Sequence, residues 1–418
     1  MQKKIFISSG YKRIHLISNA KILIGLKTNV IIFCGFVTNP NFESLIKFLK
    51  IKSKKIEILI SRRIGIPYKY FEIYLIGEFI HEMALFFKNL FNMKKLSNSI
   101  IEITFKSYSK KIKKYLQINR NKFDIYHYRS GFGGCSVDYA KSIGLKCVCD
   151  HSIAHPSLVD YMIKNNGNYP KKNIKIPNNF WRLVLEDINK AENILVNSEF
   201  VKKTLSFMGI TPNKIKVIYI GLEDHYFKLI KKLPKKNYSR LKNKPIKFLF
   251  AGGIVQRKGF DQLYQAFNLL EKKYNNFELH IAGSLNYEFK IRYKNLFKKD
   301  KIKYHGVLKY DELIRLMFKS DVFVFPSLVE GSAKVIFEAM GCGCAIITTP
   351  NTGSVVKDKL NGILVRTGKY KDIYLAMQKI ITNTQLIKFY GKSNQRLIKQ
   401  KYTPTQYGKK LIKYYNSL

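Results

Sequence analysis

Short apolar runs of the kind that form buried strands recur along the whole chain, and segments with helical spacing lie between them. The pattern predicts a first series of strands at residues 4–8, 30–35, 56–60, 125–128, 146–149 and 193–196. It predicts a second series at residues 246–251, 278–282, 301–305, 322–325, 345–348 and 362–365. Because strands that alternate with helices form parallel sheets, we expect an α/β protein with two parallel sheets.

The segments between the predicted strands have apolar residues at helical spacing. The clearest of these helices are predicted at residues 70–91, 137–144, 260–273, 310–318 and 333–340. The final segment, residues 403–418, has the pattern of an amphipathic helix whose Leu411, Tyr414 and Tyr415 would pack back on the first domain.

Composition indicates where the two domains meet. Residues 228–247 carry nine basic residues, two prolines and no acidic residue, which is typical of a linker. A hinge is predicted just before it, at Gly221-Leu222-Glu223-Asp224. The predicted domains are therefore residues 1–222 and residues 223–402.

Charge narrows the choice of partners. The net charge is +47, but the lysines are spread along the chain and no nucleic-acid-binding motif accompanies them, so we predict no nucleic-acid partner. The charge favours anionic partners such as a phosphate-bearing donor, a diphospholipid acceptor or an anionic membrane face. The lysine-rich segment 106–122 has interleaved aromatic residues, and it fits either a solvated helix face or a membrane-contacting patch.

The length of the chain and its cysteines further limit the class of protein. A chain of 418 residues is too long for one hydrophobic core. No apolar run approaches the roughly 18 residues that span a bilayer, and the first ten residues are better interpreted as a strand than as a signal peptide. We therefore expect a cytoplasmic protein, either free or peripheral at the inner face of the membrane. The six cysteines lack zinc-site spacing and are interpreted as buried thiols.

A glycine-rich segment follows the predicted strand at 246–251. Gly252 and Gly253 precede the basic pair Arg257-Lys258, and a helix begins near Asp261. Glycine lets a backbone approach a phosphate closely, and the two cations could donate charge-assisted hydrogen bonds to it. An ordinary strand-to-helix loop with an exposed basic pair would have the same residues, so both interpretations remain open.

Two glutamates with seven residues between them, Glu330 and Glu338, follow the predicted strand at 322–325. The turn Gly331-Ser332-Ala333 would present backbone N–H groups to a phosphate at a helix N-terminus. Carboxylates only accept hydrogen bonds, so the two glutamates fit the hydroxyls of a sugar ring and of a ribose. The alternative is that Glu338 lies on a solvated helix face and Glu330 caps the turn.

Together these motifs resemble the retaining glycosyltransferases of family 4, which have the GT-B fold of two Rossmann-like domains facing a central cleft. The family's motifs occur here in the same order, as Lys258-Gly259, Pro326-Ser327, and the pair Glu330 and Glu338. The resemblance covers about residues 125–364. It implies an acceptor-binding first domain and a second domain that binds a nucleotide sugar.

The resemblance also implies an activity. A hexose-type sugar would move with retention from a nucleotide diphosphate to a hydroxyl of a carbohydrate or lipid-linked acceptor, in surface polysaccharide or glycolipid synthesis. No metal or other cofactor is expected, because the chain supplies its own cations and lacks an Asp-x-Asp motif near the cleft.

Residue roles follow from the same resemblance. The cleft histidine falls on His151, with His155 as its rival. Glu330 would position the sugar beside His151, and Glu338 would hold the ribose. The other donor-binding residues implied are Gly252, Gly253, Arg257, Lys258, Gly331, Ser332, Ala333 and Lys334.

The chain departs from the family at two informative places. Gly252-Gly253-Ile254 stands where many members have Gly-Arg-Leu, so we expect Arg257 to replace the missing arginine. The glycine loop of the first domain is reduced to Ser9-Gly10-Tyr11, with Gly10 on the acceptor side. The alternatives to a transferase are a GT-B nucleotide-sugar epimerase and a non-catalytic binder of sugar nucleotides or anionic polymers.

Overall fold

The computed structural model describes residues 3–11, 15–41, 43–44, 60, 62–91, 93–171, 174, 179–239, 244–285, 287–296 and 299–418. Two parallel sheets lie in the two halves of the chain, with strand orders β3-β2-β1-β4-β5-β6-β7 and β10-β9-β8-β11-β12-β13. The first sheet comprises β1 (Ile5–Gly10), β2 (Val30–Cys34), β3 (Phe71–Ile73), β4 (Ile125–Arg129), β5 (Lys146–His151), β6 (Asn193–Val196) and β7 (Ile215–Val217). The second comprises β8 (Ile246–Ala251), β9 (Phe277–Ala282), β10 (Ile302–Tyr304), β11 (Val322–Phe325), β12 (Ala345–Thr348) and β13 (Ile363–Leu364).

Helices cover both faces of each sheet, and for this reason inner strands such as β11 are continuous apolar runs. The helices of the first half are α1 (His15–Gly25), α2 (Leu75–Leu90), α3 (Lys94–Ile118), α4 (Cys135–Ser142), α5 (Pro156–Lys164), α6 (Asn179–Lys190) and α7 (Glu199–Phe207). Those of the second half are α8 (Asp224–Ile230), α9 (Phe260–Glu271), α10 (Tyr287–Arg292), α11 (Tyr310–Lys319), α12 (Lys334–Gly341), α13 (Tyr370–Thr382), α14 (Gln385–Lys401) and α15 (Pro404–Asn416). The predicted fold class, two Rossmann-like domains, is confirmed.

The last helix returns to the first domain, as the sequence predicts. Leu411, Tyr414 and Tyr415 of α15 are buried in one apolar cluster with Ile5 and Ile7 of β1. The chain passes between the domains twice, and the two crossings lie side by side. They are joined by a hydrogen bond from the N–H of Leu222 to the carbonyl of Tyr402 at 3.0 Å.

Several details differ from the sequence predictions. The predicted helix at 70–91 begins only at Leu75, because Phe71–Ile73 pairs with β2 as a short edge strand. Ile215–Val217 forms a further edge strand, β7, that the pattern did not predict. Most of the predicted strand at 56–60 lies outside the described residues, and Ile60 is helical.

The basic segment 228–247 is not a free linker where it is described. Its first residues complete α8, and the Tyr238 hydroxyl donates to the carbonyl of Gly343 at 3.0 Å. In the lysine-rich segment 106–122, Tyr108, Ile112 and Leu116 face the core, so the exposed side of α3 is mainly cationic. A solvated helix face and a membrane-contacting patch both fit this cationic side, so the two interpretations stay predictions.

Two general expectations can be compared with the structure. All six cysteines are free thiols, and every one except Cys135 is buried. None of the described helices combines the length and the apolar character that crossing a membrane requires.

Candidate active site

Gly259 fixes the loop that follows β8. It has a left-handed backbone with φ of +69°, and a Cβ atom at this position would lie 2.8 Å from the carbonyl carbon of Pro326. Both conditions favour glycine. The two loops are also joined at the carbonyl of Arg257, which accepts from the N–H of Leu328 and from Ser327 Oγ, each at 2.8 Å. The Lys-Gly pair therefore places Lys258 against the turn that carries Glu330.

Glu330 meets both predicted phosphate-binding cations. Its Oε1 atom lies 2.5 Å from Lys258 Nζ and 2.8 Å from Arg257 Nη1, and it accepts from Ser327 Oγ at 3.0 Å. The Glu330 side chain is 11% exposed and that of Lys258 is 18% exposed, whereas Arg257 reaches solvent. Burial lowers the pKa of Lys258, and the Glu330 carboxylate partly offsets this effect. The sequence-predicted residues of the two loops are thus brought together as one ion-paired cluster.

Glycines also bring the ends of β8 and β9 together. A Cβ atom on Gly283, which follows β9, would lie 2.6 Å from the carbonyl carbon of Gly252. Gly253 has more room, since the nearest atom to a Cβ there would be Ser284 Oγ at 3.4 Å. Close backbone packing accounts for Gly283, and the predicted phosphate contact of Gly252 and Gly253 stays a prediction.

The turn between β11 and α12 is held by the loop that follows β12. The N–H of Glu330 donates to the carbonyl of Asn351, and the N–H of Ala333 donates to the carbonyl of Thr352, both at 3.0 Å. Helix α12 begins at Lys334, with Ala333 as its N-cap. The Ala333 N–H is therefore engaged within the protein, contrary to its predicted role toward phosphate, while the roles of Gly331 and Ser332 stay predictions.

Glu338 lies on the inner side of α12 and not on a solvated face. It is only 5% exposed, and its Oε1 atom accepts from the Tyr310 hydroxyl at 3.2 Å. Burial raises the pKa of Glu338, and nearby Lys334 and Tyr310 oppose the shift. Lys334 itself pairs with Glu223 at 3.0 Å, beside the predicted hinge.

His151 ends β5, as the sequence predicts, and is 2% exposed. Its Nδ1 atom lies 2.9 Å from Ser130 Oγ, whereas its buried Nε2 atom has no hydrogen-bond partner among the described residues. Burial lowers the pKa of His151 to about 4, and the nearby His155 adds to this shift. His151 is therefore a neutral imidazole at pH 7.

The rival histidine and the acceptor-side glycine have structural partners. His155 caps α5 by accepting from the N–H of Ser157 at 3.3 Å. The N–H of Gly10 already donates to the Tyr108 hydroxyl at 3.0 Å, and a Cβ on Gly10 would lie 2.7 Å from the Phe132 ring. Gly10 is thus needed for packing, and its predicted acceptor role is not supported by a free backbone group.

The two predicted catalytic residues lie beside the contact between the domains. A Cβ atom on Gly331, next to Glu330, would lie 3.0 Å from the carbonyl carbon of Ser152, next to His151. Ser198 Oγ of the first domain donates to the carbonyl of Gly331 at 2.5 Å. The described conformation is consequently one in which the domains meet at this end of the cleft.

Further contacts close the same end. Asn351 Nδ2 donates to the carbonyl of Gly167 at 2.9 Å, and Val329 packs among Leu158, Met162 and Phe200 of the first domain. An apolar residue of the second domain buried in a cluster of the first gives this closed arrangement a hydrophobic contribution.

Two residues that support this region were not found from the sequence. Ser130 orients His151, and Asp187 accepts from the N–H groups of Gly131, Gly133 and Gly134 at 2.7 to 2.8 Å. This carboxylate organises the loop between β4 and α4 that carries Ser130. The Gly-x-Gly-Gly spacing was a signal for such a loop, but nothing local in the sequence links it to Asp187.

Potential metal ligands do not cluster in the part of the chain that the structure describes. No group of three or more His, Cys, Asp or Glu side chains there could hold a metal ion.

The fold and the paired loops define a class of protein. The Anabaena protein HepE, solved in complex with UDP, superimposes with a TM-score of 0.63 at 15% identity, over 99% of this chain and 100% of that one. Such a likeness shows the fold alone, and the architecture is that of the GT-B proteins. Within this class the sequence is more specific, because residues 231–403 match the family described as glycosyl transferases group 1. The second domain is therefore similar to that family.

Curated relatives match a little more than half of this chain. An uncharacterized glycosyltransferase of Methanocaldococcus jannaschii is 28% identical over 55% of this chain and 58% of its own length. The capsular polysaccharide biosynthesis glycosyltransferase CapM of Staphylococcus aureus is 27% identical over 54% of this chain and 62% of its own length. The chain thus spans about three fifths of these relatives.

Proposed function

We propose that this protein is a retaining glycosyltransferase that moves a hexose-type sugar from a nucleotide diphosphate donor to an acceptor hydroxyl, without a metal ion. The observation that carries the proposal is the cluster of Arg257, Lys258 and Glu330 at the domain contact, in a second domain that matches group 1 glycosyltransferases. A nucleotide diphosphate offers one chemical group for each part of this cluster, an anionic diphosphate for the cations and hydroxyls for the carboxylate.

The ion pairs suggest how the donor is received. On donor binding, the diphosphate replaces Glu330 as the partner of Arg257 and Lys258, and the released carboxylate accepts hydrogen bonds from the sugar hydroxyls. The two cations then stabilise the charge that develops on the leaving diphosphate. Their placement before the reaction avoids reorganisation during it.

The buried groups complete the proposed site. Glu338, held by Tyr310, accepts from the ribose hydroxyls. His151 is neutral and its Nε2 is unpaired among the described residues, so it can contact the sugar near the reacting carbon. Because the domains already meet at Gly331 and Ser152, the donor enters when they part and is shielded from water when they close.

The names of related proteins support the choice of substrates. HepE was also solved with UDP and glucose, and CapM is named for capsular polysaccharide biosynthesis. We accordingly propose a nucleotide sugar as donor and a carbohydrate or lipid-linked acceptor in surface polysaccharide or glycolipid synthesis. The proposed location is cytoplasmic, with peripheral attachment at the inner face of the membrane.

A thermal-shift screen with a panel of nucleotide sugars tests donor binding, since a ligand that binds only the folded protein raises its melting temperature. Lys258→Ala should remove the shift produced by the preferred donor. Lys299→Ala is the matched control, because Lys299 also pairs with a glutamate, Glu271, in the same domain but outside the cluster. An undiminished shift in Lys258→Ala would move the phosphate site elsewhere.

Transfer itself is tested with Glu330→Gln, which keeps the size of the side chain but removes its charge. We expect a loss of transfer of at least tenfold, on the scale of removing one charged hydrogen bond from the reacting complex. Transfer at the wild-type rate would refute the role of Glu330. Conversion of the donor sugar without any acceptor would instead identify an epimerase, and donor binding without turnover would identify a binding protein.

A further inference from the structure

Helix α2 (Leu75–Leu90) carries its apolar side outward. Among the described residues, every exposed side chain from Leu75 to Phe91 is apolar. These side chains are Leu75, Ile76, Phe79, Ile80, Met83, Phe86, Phe87, Leu90 and Phe91. Their spacing is that of one helical stripe. The stripe is strongly exposed, with Ile76 at 65%, Phe79 at 62% and Phe86 at 58%.

The polar side of the same helix is fixed against the protein. Glu78 is 3% exposed, pairs with Arg62 and accepts from the N–H of Phe36 at 2.6 Å. Gly77 allows the Tyr11 hydroxyl to approach the helix backbone closely. Rotating α2 to bury its apolar stripe would break the ion pair between the Glu78 carboxylate and the Arg62 guanidinium. This buried pair therefore fixes the outward orientation of the stripe.

The apolar face is continued and flanked by neighbouring residues. Met93 and Leu96, which follow α2, are also exposed apolar side chains. Cations lie at both ends of the helix. The Lys111 ammonium stands 5.7 Å from the ring centre of Tyr74, the N-cap of α2, and Lys88 lies in the last turn. This is a long apolar stripe with cations at its ends and no exposed acid on the described helix.

Charge identifies the surface that covers this stripe. A second copy of a chain with net charge +47 would bring two cationic bodies together, and their repulsion opposes such a dimer. A bilayer with anionic headgroups complements the same charge and accepts apolar side chains below the headgroups. A helix of this length would lie in the plane of the membrane over roughly 24 Å, at 1.5 Å per residue.

We propose that the outward face of α2 docks this protein on a membrane surface that contains anionic lipids. The helix adjoins the carboxyl end of β1, because Tyr11 stacks near His81 of α2 with ring centres 5.2 Å apart. Docking therefore places the membrane beside the loop Ser9-Gly10-Tyr11 of the first domain. The inference does not depend on sugar transfer, and a vesicle-binding measurement can fail or succeed independently of the proposed activity.

Flotation with phosphatidylcholine vesicles, with and without phosphatidylglycerol, tests the proposal. The wild-type protein should float with the anionic vesicles. A double variant, Phe79→Ser and Phe86→Ser, should bind them on the order of a hundredfold more weakly, about tenfold for each ring removed. Phe389→Ser is the matched control, because Phe389 is a similarly exposed ring of the second domain, at 57%. The control should bind like the wild type.

Two results would overturn the proposal. One is equal binding of the double variant and the wild type, which would mean that the basic surface binds lipid without α2. The other is a concentration-dependent dimer in solution that the double variant abolishes, which would make a second copy the occupant.

Insertion can also be measured without weakening the stripe. Trp181 is the only tryptophan, so a Trp181→Phe and Phe79→Trp variant places a single fluorophore on the exposed face. Its emission should shift to the blue with anionic vesicles and be quenched by lipids brominated on their acyl chains. Emission that stays unquenched while the protein floats would show that α2 does not enter the bilayer, contrary to the proposal.

Discussion

Gly259→Ala should destabilise the second domain and disconnect Lys258 from its site. Holding alanine at φ of +69° costs about 1 to 2 kcal/mol, and the new methyl group would lie 2.8 Å from the carbonyl carbon of Pro326, which is backbone and cannot rotate away. Overpacking of this kind adds about 1 to 3 kcal/mol. The expected loss in unfolding free energy is therefore about 2 to 5 kcal/mol, measured by urea denaturation.

Gly306→Ala separates the two contributions. Gly306 has a similar φ of +65°, but no neighbouring atom lies within 4 Å of the position that its Cβ would take. This control should lose only the backbone term of about 1 to 2 kcal/mol. Both changes restrict the unfolded chain equally, so that effect cancels in the comparison. Equal losses in the two variants would refute a tight contact between Gly259 and Pro326.

Three other outcomes are expected. Burial raises the pKa of Asp187 from 3.8 to about 6. The contribution of this group to the unfolding free energy is therefore complete below pH 3.8 and is lost as the pH rises through 6. Asp187→Asn should remove this pH-dependent change of roughly 3 kcal/mol, measured by urea denaturation at a series of pH values. His151 gives the opposite dependence of stability on pH, because burial lowers its pKa from 6.5 to about 4 and its contribution to the unfolding free energy is lost on acidification. His151→Asn should make the unfolding free energy less dependent on pH in the acidic range. An unchanged dependence would contradict the burial of His151 as a neutral group. EDTA should leave the transfer rate unaltered, and its abolition by chelation would contradict the metal-free mechanism.

The sequence predicts the sheets well where burial leaves a strong pattern. Val322–Phe325 and Ala345–Thr348 were predicted with the bounds that the structure has, because central parallel strands need continuous apolar runs. The edge strand Phe71–Ile73 was missed, since three residues are too few to show a period of two beside a longer helical pattern.

The sequence predicted which loops form the candidate site, but it did not predict the hydrogen-bond partners of the residues on those loops. The cluster of Lys258 and Glu330 could be expected from family motifs, although 72 residues separate the two side chains. The bonds of Ala333 to Thr352 and of His151 to Ser130 arise from tertiary packing that no local pattern records. Helix α2 shows the same limit, because its amphipathic pattern identifies a helix but does not say that the apolar side faces outward.

The return of α15 makes the second domain an insertion within the first. His127 Nδ1 and the Tyr415 hydroxyl, 2.6 Å apart in the buried core, are separated by 288 residues of chain. At roughly 5 to 20 residues per second, the ribosome delivers Tyr415 tens of seconds after β1 has emerged. During synthesis, the domain made first must therefore wait with the part of its sheet that α15 covers still exposed, beside α1, and it is the last to be completed.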